Sequence, residues 1–250
     1  MPTTSASGSS EAEPIAPPLH GFRGNHAAAA IPTHPHGLTV TISREAGARG
    51  TMIARKLAEL LGWQVFDQEL LDYLLLDETG QTRLLADIPA SARAWADQHL
   101  TRLIEGQRLN ADAETTGLFR LILAIAARGD AVIVGRGAGV LLPAASTLNV
   151  RVVAPLEARV SYLAQMLRLT RTEAANEVRD RDERRHKYLA RTVLIDPGHP
   201  TVYDLVVNSD RLGVEGASQF IGWAVRTKQQ FAEIQASEES LQASEWMEAT

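Results

Sequence analysis

The chain of 250 residues contains no cysteine, and aromatic residues make up only 5% of it. Without cysteine it forms neither disulfides nor thiolate-bound metal or iron–sulfur sites, and it has no cysteine nucleophile. Its 25 basic residues include only three lysines, namely Lys56, Lys187 and Lys228. Any chemistry that requires a lysine therefore has three candidates.

Long apolar runs are also missing. The longest uncharged run, residues 24–43, is interrupted by histidine, proline and glycine, so no membrane span is predicted. The amino terminus lacks the basic start and apolar stretch of a secretory signal, and we expect a cytoplasmic protein. A net charge of −5 argues against general nucleic-acid binding, which needs a cationic face, but it allows a local cationic pocket. We expect neither nucleic acid nor membrane as a partner.

Composition divides the chain into a central domain and two tails. Residues 1–36 are rich in Ala, Pro and Ser, with few large apolar residues, so we predict a disordered tail. Residues 37–236 are predicted to form one domain, a length that suits a single α/β unit. Residues 237–250 are predicted to be an acidic carboxy-terminal tail that frays.

Short β-branched or apolar runs alternate with helical periodicities along the central domain. Five strands are predicted at 38–43, 63–66, 131–134, 149–154 and 204–208. Helices are predicted at 52–61, 118–127, 156–169, 171–189 and 214–234, and the stretch from 70 to 128 is mostly helical. Strands that alternate with helices favour a parallel sheet covered on both faces, so the predicted fold class is α/β.

A glycine-bearing loop joins the first predicted strand to its helix, where folds of this kind bind phosphate. Residues 43–51 (SREAGARGT) have the length of a P-loop but break the pattern G-x-x-x-x-G-K-[ST], because no lysine is present. Arg44 and Arg49 are the cations of the loop, and Thr51 is its only hydroxyl after Ser43. Spacing alone leaves a tight connection and a phosphate cradle equally open.

Two further segments concentrate arginine. Arg136 follows the third predicted strand in the sequence GRGAG, where strand ends line the ligand crevice of an open sheet. An arginine there suits a ligand phosphate or carboxylate, and a buried carboxylate of the protein is the alternative partner. Helical spacing within residues 179–188 aligns on one face Arg181, Arg184, Arg185 and Tyr188. That face is either a solvated surface or a cationic cover for a transferring phosphoryl group.

Together these motifs resemble the cytidylate kinase-like family of P-loop nucleoside monophosphate kinases. The resemblance runs from about Leu38 to Phe220. It is carried in order by TISREAGARGTMIARKLAELLG, VFDQELL, VIVGRGAGVLL, VRVVAPLEARV and DERRHKYLARTVLIDPGHPTVYDLVVNSDRLG. It implies a three-layer adenylate-kinase-like P-loop fold with a five-stranded parallel sheet. It also implies a helical NMP-binding insertion at 70–117 and a short lid region at 171–200.

The resemblance further implies the substrates and the residues that bind them. The implied partners are ATP with Mg²⁺ and a nucleoside monophosphate. The implied ATP phosphate-binding loop, called the donor loop below, consists of Gly47, Ala48, Arg49, Gly50 and Thr51. The implied acceptor-binding residues are Asp67, Arg136 and Asp182. The implied catalytic cations are Arg181 and Arg185 of the lid, with Arg49 in place of the missing lysine.

The sequence departs from the family pattern at several positions. Gly50 stands at the lysine position of the P-loop, and Arg49 stands at the preceding glycine. Gly137 and Gly139 occupy positions that often carry acidic residues, and Val134 leaves no carboxylate for magnesium after the third strand. We predict ATP-dependent phosphorylation of a nucleoside monophosphate, with CMP or dCMP as the acceptor. The alternative is a catalytically degenerate nucleotide-binding regulatory protein of the same fold.

Overall fold

The computed structural model describes residues 37–109, 112–193, 196 and 198–248. The predicted tail of residues 1–36 lies outside the described residues, as do the last two residues of the predicted acidic tail. Within the described ranges, no helix combines the length and the apolar character that crossing a membrane requires.

Strands and helices alternate along the described chain. The strands are β1 (Thr39–Arg44), β2 (Gln64–Phe66), β3 (Ala131–Val134), β4 (Thr147–Val153) and β5 (Leu205–Asn208). The helices are α1 (Gly50–Leu61), α2 (Gln68–Leu76), α3 (Glu78–Ala86), α4 (Ala90–Glu105), α5 (Ala113–Arg128), α6 (Ala138–Leu141), α7 (Leu156–Leu167), α8 (Arg171–Thr192) and α9 (Ser209–Glu248). Short 3₁₀ turns occupy Ala144–Ser146 and Pro200–Val202.

The five strands form one sheet in the order β2-β3-β1-β4-β5, and every neighbouring pair is parallel. Strand β1 is central, with Thr39 opposite Ala131 of β3 and Thr147 of β4. Because all strands run in one direction, their carboxy-terminal ends meet at one edge, which is where such sheets bind ligands. The predicted fold, an α/β P-loop architecture with a five-stranded parallel sheet, is confirmed.

Two apolar clusters cover the two faces of the sheet. On one face, α1 and α9 pack against β1 and bury Ile42, Ile53 and Ile221 completely. On the other face, α5 and the helices of the insertion bury Phe119 and Ile133. Full burial of each such side chain contributes about 1.5–3 kcal/mol. Helix α1 is therefore fixed on the sheet, and the loop that precedes it has defined ends.

The insertion predicted at 70–117 consists of α2, α3, α4 and the first turn of α5. Aspartates begin three of these helices, because Asp67, Asp77 and Asp112 each accept a hydrogen bond from a backbone N–H in the first turn. Helix α4 is tied to α6, since His99 Nε2 lies 3.1 Å from the Leu141 carbonyl oxygen. The insertion is thereby joined to the domain that carries the sheet.

Helix α9 differs from the helix predicted at 214–234. It begins at Ser209, breaks at Gly213 with a φ of 65°, and then continues to Glu248. The predicted start therefore corresponds to the restart after the break. The helix thus extends into the predicted acidic tail, in a segment where neither glycine nor proline follows Gly222. Helix α6 is an addition to the prediction.

Gly139 allows α6 to lie directly on β4. A Cβ atom at this position would overlap the side-chain amide of Asn149. That amide is held from both sides, because it accepts a hydrogen bond from Thr41 Oγ1 (2.8 Å) and donates one to the Val202 carbonyl (2.7 Å). Asn149 therefore has no free rotamer with which to make room.

Gly139→Ala is expected to destabilise the protein by about 1–3 kcal/mol through overpacking. Thermal unfolding followed by circular dichroism measures the loss. The matched control is Gly216→Ala in α9, where a Cβ would make an ordinary contact 3.6 Å from Leu212 Cβ. That control is expected to be neutral or stabilising by about 0.5–1 kcal/mol. Equal unfolding midpoints for the two variants would contradict the tight packing of α6 on β4.

Candidate functional site

A cleft of about 690 Å³ opens at the carboxy-terminal ends of β1, β3 and β4. Its other walls come from the start of α2, from α6 and from α8. Six predicted site residues line it, namely Thr51, Asp67, Arg136, Arg181, Asp182 and Arg185. The other donor-loop residues, all within the described ranges, border the cleft without lining it.

The donor loop turns at Gly47 and is packed on both sides. Gly47 has a φ of 79°, and a Cβ there would lie 2.6 Å from the Arg159 carbonyl oxygen, so only glycine fits. Ala48 is buried, and its carbonyl accepts a hydrogen bond from the Ser209 hydroxyl at 2.8 Å. Helix α1 begins at Gly50, so its first N–H groups and positive dipole end lie at the edge of the sheet that binds ligands.

Arg49 lies away from the other predicted cations. It precedes α1 in the left-handed conformation, with a φ of 59°. Its guanidinium lies over the ring of Tyr162 in α7, 5.0 Å from the ring centre. The loop conformation thus directs Arg49 towards α7. The geometry does not support the expectation that Arg49 replaces the P-loop lysine.

Arg44, at the end of β1, occupies the space beside the lysine position. A Cβ at Gly50 would lie only 2.6 Å from Arg44 Cβ, and a Cβ at Gly135 would overlap the Arg44 guanidinium. Burial of this guanidinium, with the nearby charge of Arg185, lowers the pKa of Arg44 to about 10. The group is therefore protonated at neutral pH. Sequence reasoning noted Arg44 only as a loop cation and missed its position in the cleft.

Arg136 sits at the tip of a turn between two glycines. Its φ is 55°, and Gly135 and Gly137 also adopt positive φ values, of 83° and 72°. The guanidinium forms an ion pair with Asp72 of α2 and lies 5.4 Å from the ring centre of Tyr188. The structure thus gives Arg136 a protein carboxylate as its partner. That carboxylate is 42% exposed, so it is open to exchange with a ligand.

Asp182 connects α8 to the donor side of the site. Its Oδ1 accepts a hydrogen bond from the Ala46 N–H (2.7 Å), and its Oδ2 accepts one from Arg159 Nη1 (2.6 Å). Arg185 Nη1 lies 3.4 Å from Oδ1. Both oxygens are engaged with the protein, so this geometry gives Asp182 a positioning role between the loop and the lid. A direct contact with the acceptor stays a prediction.

The arginines of α8 form ion pairs within the helix and also face the cleft, so both predicted roles of this charged helix are partly present. Arg181 Nε donates to Glu177 Oε1 at 2.5 Å, one turn earlier in α8, and Arg184 lies 3.9 Å from the same atom. Arg181, Arg184 and Arg185 nevertheless all line the cleft. Burial, opposed by Asp182, lowers the pKa of Arg185. The helix therefore has intrahelical ion pairs and a cationic face over the cleft.

Asp67 lies opposite the lid. Its Oδ1 accepts the Leu70 N–H at 3.1 Å, and its Oδ2 accepts Arg55 Nη2 at 3.1 Å. Asp67 is the residue that caps the start of helix α2, and its side chain is only 16% exposed. Its place on the cleft wall is consistent with the predicted acceptor site.

Steric contacts explain why Gly137 and Gly139 are glycines at positions where the sequence comparison above expects acidic residues. A Cβ at Gly137 would lie 2.9 Å from Val193 Cγ1, and the φ of 72° adds strain for any side chain. Gly139 is blocked by Asn149 as described above. Carboxylates at these positions do not fit this backbone.

Asp182→Asn is expected to destabilise the protein by about 1.5–3 kcal/mol, because it removes the charged acceptor of Ala46 and Arg159. Chemical denaturation followed by tryptophan fluorescence provides the measurement. The matched control is Asp180→Asn, at an exposed position of the same helix. Should both variants unfold at the wild-type denaturant concentration, Asp182 does not hold the loop to α8.

Three solved structures are similar to the chain. An uncharacterized protein from Eubacterium ventriosum ATCC 27560 has a TM-score of 0.54 at 19% identity, covering 76% of this chain and 98% of that one. The shikimate kinase from Bacteroides thetaiotaomicron has a TM-score of 0.44 at 13% identity, covering 76% and 98%. The shikimate kinase from Acinetobacter baumannii, in complex with shikimate, has a TM-score of 0.41 at 15% identity, covering 78% and 94%.

None of the curated proteins compared with the chain matches it. The model of the cytidylate kinase-like family matches residues 39–211, which is well over half of the chain. The matched range includes every residue that lines the cleft. The chain belongs to the cytidylate kinase-like family.

Proposed function

We propose that this protein transfers the γ-phosphoryl group of ATP to a nucleoside monophosphate, with CMP or dCMP as the acceptor. One observation carries the proposal: arginines from β1, from the turn after β3 and from α8 line one cleft beside the start of α1. Phosphoryl transfer depends almost entirely on positioning and on neutralising charge, and both can be supplied by such an arrangement. Membership of the cytidylate kinase-like family supports a nucleotide kinase-like activity.

The donor side would use backbone amides of the donor loop for the ATP phosphates. Mg²⁺ prefers oxygen ligands and usually keeps water and substrate phosphates around it. Thr51 lines the cleft, and within the described chain its hydroxyl has no hydrogen-bond partner, so it fits as the protein's oxygen ligand. Among the described residues, no cluster of acidic or histidine side chains would hold a metal without the nucleotide. When bound, the ion would neutralise phosphate charge.

The acceptor side would use Arg136 to bind the acceptor phosphate and Asp67 to contact the rest of the nucleotide.

An oxygen of the acceptor phosphate would attack the γ-phosphorus in line. The bond from that phosphorus to the bridging oxygen would break, and ADP would leave with the electron pair. Arg181 and Arg185 would neutralise the oxygens of the moving group. No general base is required, because the acceptor phosphate is already ionised at neutral pH.

The alternative is a regulatory protein that binds nucleotides without transferring phosphate. Two observations favour it: Gly50 stands at the lysine position, and the cleft carboxylates Asp67 and Asp182 are bonded to other protein groups. This alternative predicts nucleotide binding without ADP formation. The two functions therefore differ in one assay.

ADP release from Mg-ATP tests the proposal, with CMP, dCMP, UMP and AMP supplied separately. We expect CMP or dCMP to stimulate turnover, and Arg136→Ala to lower kcat/KM by about 100-fold or more because a phosphate-binding charge is lost. The control is Arg93→Ala, an exposed arginine of the insertion outside the cleft lining. Nucleotide binding by folded wild-type protein without stimulated turnover for any acceptor would favour the regulatory alternative.

A further inference from the structure

We propose that Arg44 is the cation that replaces the P-loop lysine, and that its guanidinium binds the β- and γ-phosphates of the donor. The proposal deepens the proposed function, because it rests on ATP as the donor. It differs from the expectation from sequence, which assigned this role to Arg49. Three observations carry it: the space around Gly50, the ion pairs of the cleft and the neighbours of the Arg44 guanidinium.

The first observation is an exchange of residues between two positions of the loop. In the pattern G-x-x-x-x-G-K-[ST], the first glycine corresponds to Arg44 and the lysine to Gly50. The two positions touch, since a Cβ at Gly50 would lie 2.6 Å from Arg44 Cβ and 2.9 Å from its Cγ. The space at the start of α1 holds one long cationic side chain, and here that side chain comes from the strand instead of the helix.

The second observation concerns the seven arginines that line the cleft. Six of them lie within 4.0 Å of a carboxylate oxygen. These pairs are Arg55–Asp67, Arg136–Asp72, Arg151–Glu45, Arg181–Glu177, Arg184–Glu177 and Arg185–Asp182. Across residues 37–109, 112–193, 196 and 198–248, Arg44 has neither an ion pair nor a hydrogen bond through its side chain. It is the cleft arginine whose charge is free for a ligand.

The third observation is the electrostatic environment of Arg44. Burial and the charges of Arg185 and Arg136 lower the pKa of Arg44 to about 10, whereas the charge of Asp67 acts in the opposite direction. A positive charge between two other positive charges is stabilised when an anion binds among them. A polyphosphate carries several such charges and would contact all three guanidiniums at once.

Gly135 keeps the path of this side chain open. Its φ is 83°, and a Cβ would overlap the Arg44 guanidinium. Its N–H donates to the Ile42 carbonyl at 3.0 Å, which fixes the turn after β3 against β1. The guanidinium is therefore brought to the turn that carries Arg136, between the predicted donor and acceptor sides. By contrast, Arg49 is stacked on Tyr162.

Calorimetric titration with Mg-ATP and Mg-ADP tests the assignment. Arg44→Ala is expected to weaken Mg-ATP binding by about 10- to 100-fold, the effect of losing a charged hydrogen bond. Arg44→Lys is expected to retain part of the affinity. Arg93→Ala, at an exposed position of the insertion outside the cleft lining, is the control and is expected to bind within about two-fold of wild type.

A rescue variant separates a phosphate contact from a structural role. The triple variant R44G/R49G/G50K converts the loop to GEAGAGKT, the complete P-loop pattern, and is expected to recover most of the lost affinity. Circular dichroism establishes that each variant is folded. Wild-type affinity in Arg44→Ala, or an equal loss in Arg93→Ala, would overturn the assignment to Arg44. A folded wild type that does not bind Mg-ATP would overturn the proposed function as well.

Discussion

Mutual repulsion among arginines gathered at one edge of a parallel sheet is the constraint on which this site depends. The chain meets it by pairing six of the seven arginines that line the cleft with carboxylates, such as Asp72 of α2 with Arg136 and Glu177 with Arg181 within α8. A partly buried charge without a partner destabilises the fold more than one paired with a carboxylate. The arrangement therefore concentrates positive charge without requiring a ligand to hold the fold together.

Asp182 connects helix α8 with the residue before the donor loop and with helix α7 through direct side-chain contacts. One carboxylate contacts the backbone of Ala46 before the donor loop, Arg159 of α7 and Arg185 of α8. A displacement of α8 would therefore also move or break the hydrogen bond to the loop that precedes α1. The long lid helix is in turn fixed at its start by the reciprocal hydrogen bonds of Thr170 and Glu173. The lid arginines are thus presented by a helix that is anchored at its start and near its middle.

The sequence was sufficient for most of the fold and for part of the site. Short β-branched or apolar runs located all five strands, although only β1, β3 and β4 are buried along most of their length. The end of α9 was missed because the signal for fraying was acidic composition, while the backbone contained no residue that ends a helix. The position of Gly139 on Asn149 depends on a contact between distant segments, which no local pattern contains.

Local sequence pattern also did not decide which of the two loop cations, Arg44 or Arg49, faces the cleft. Arg44 and Arg49 are both arginines of the same loop. They differ in the left-handed backbone conformation of Arg49 and in the position of Arg44 on strand β1. Arg44 shares its face of β1 with Ile42, which packs towards α1, so alternation contained a signal that favoured it. The left-handed conformation that directs Arg49 outward had no such signal, since that conformation is uncommon outside glycine.

The ion pair between Arg136 and Asp72 has a consequence for selectivity. Under the proposed function, an acceptor phosphate would meet at Arg136 a guanidinium that the protein already pairs with its own carboxylate, and the phosphate would compete with that carboxylate. Binding there is an exchange of one anion for another, and its net free energy is the small difference between two similar interactions. A dianionic phosphate gains in that exchange over a carboxylate monoanion, and an uncharged nucleoside gains nothing. Under the proposed function, Asp72 would thus compete with the acceptor for Arg136 and favour a doubly charged phosphate.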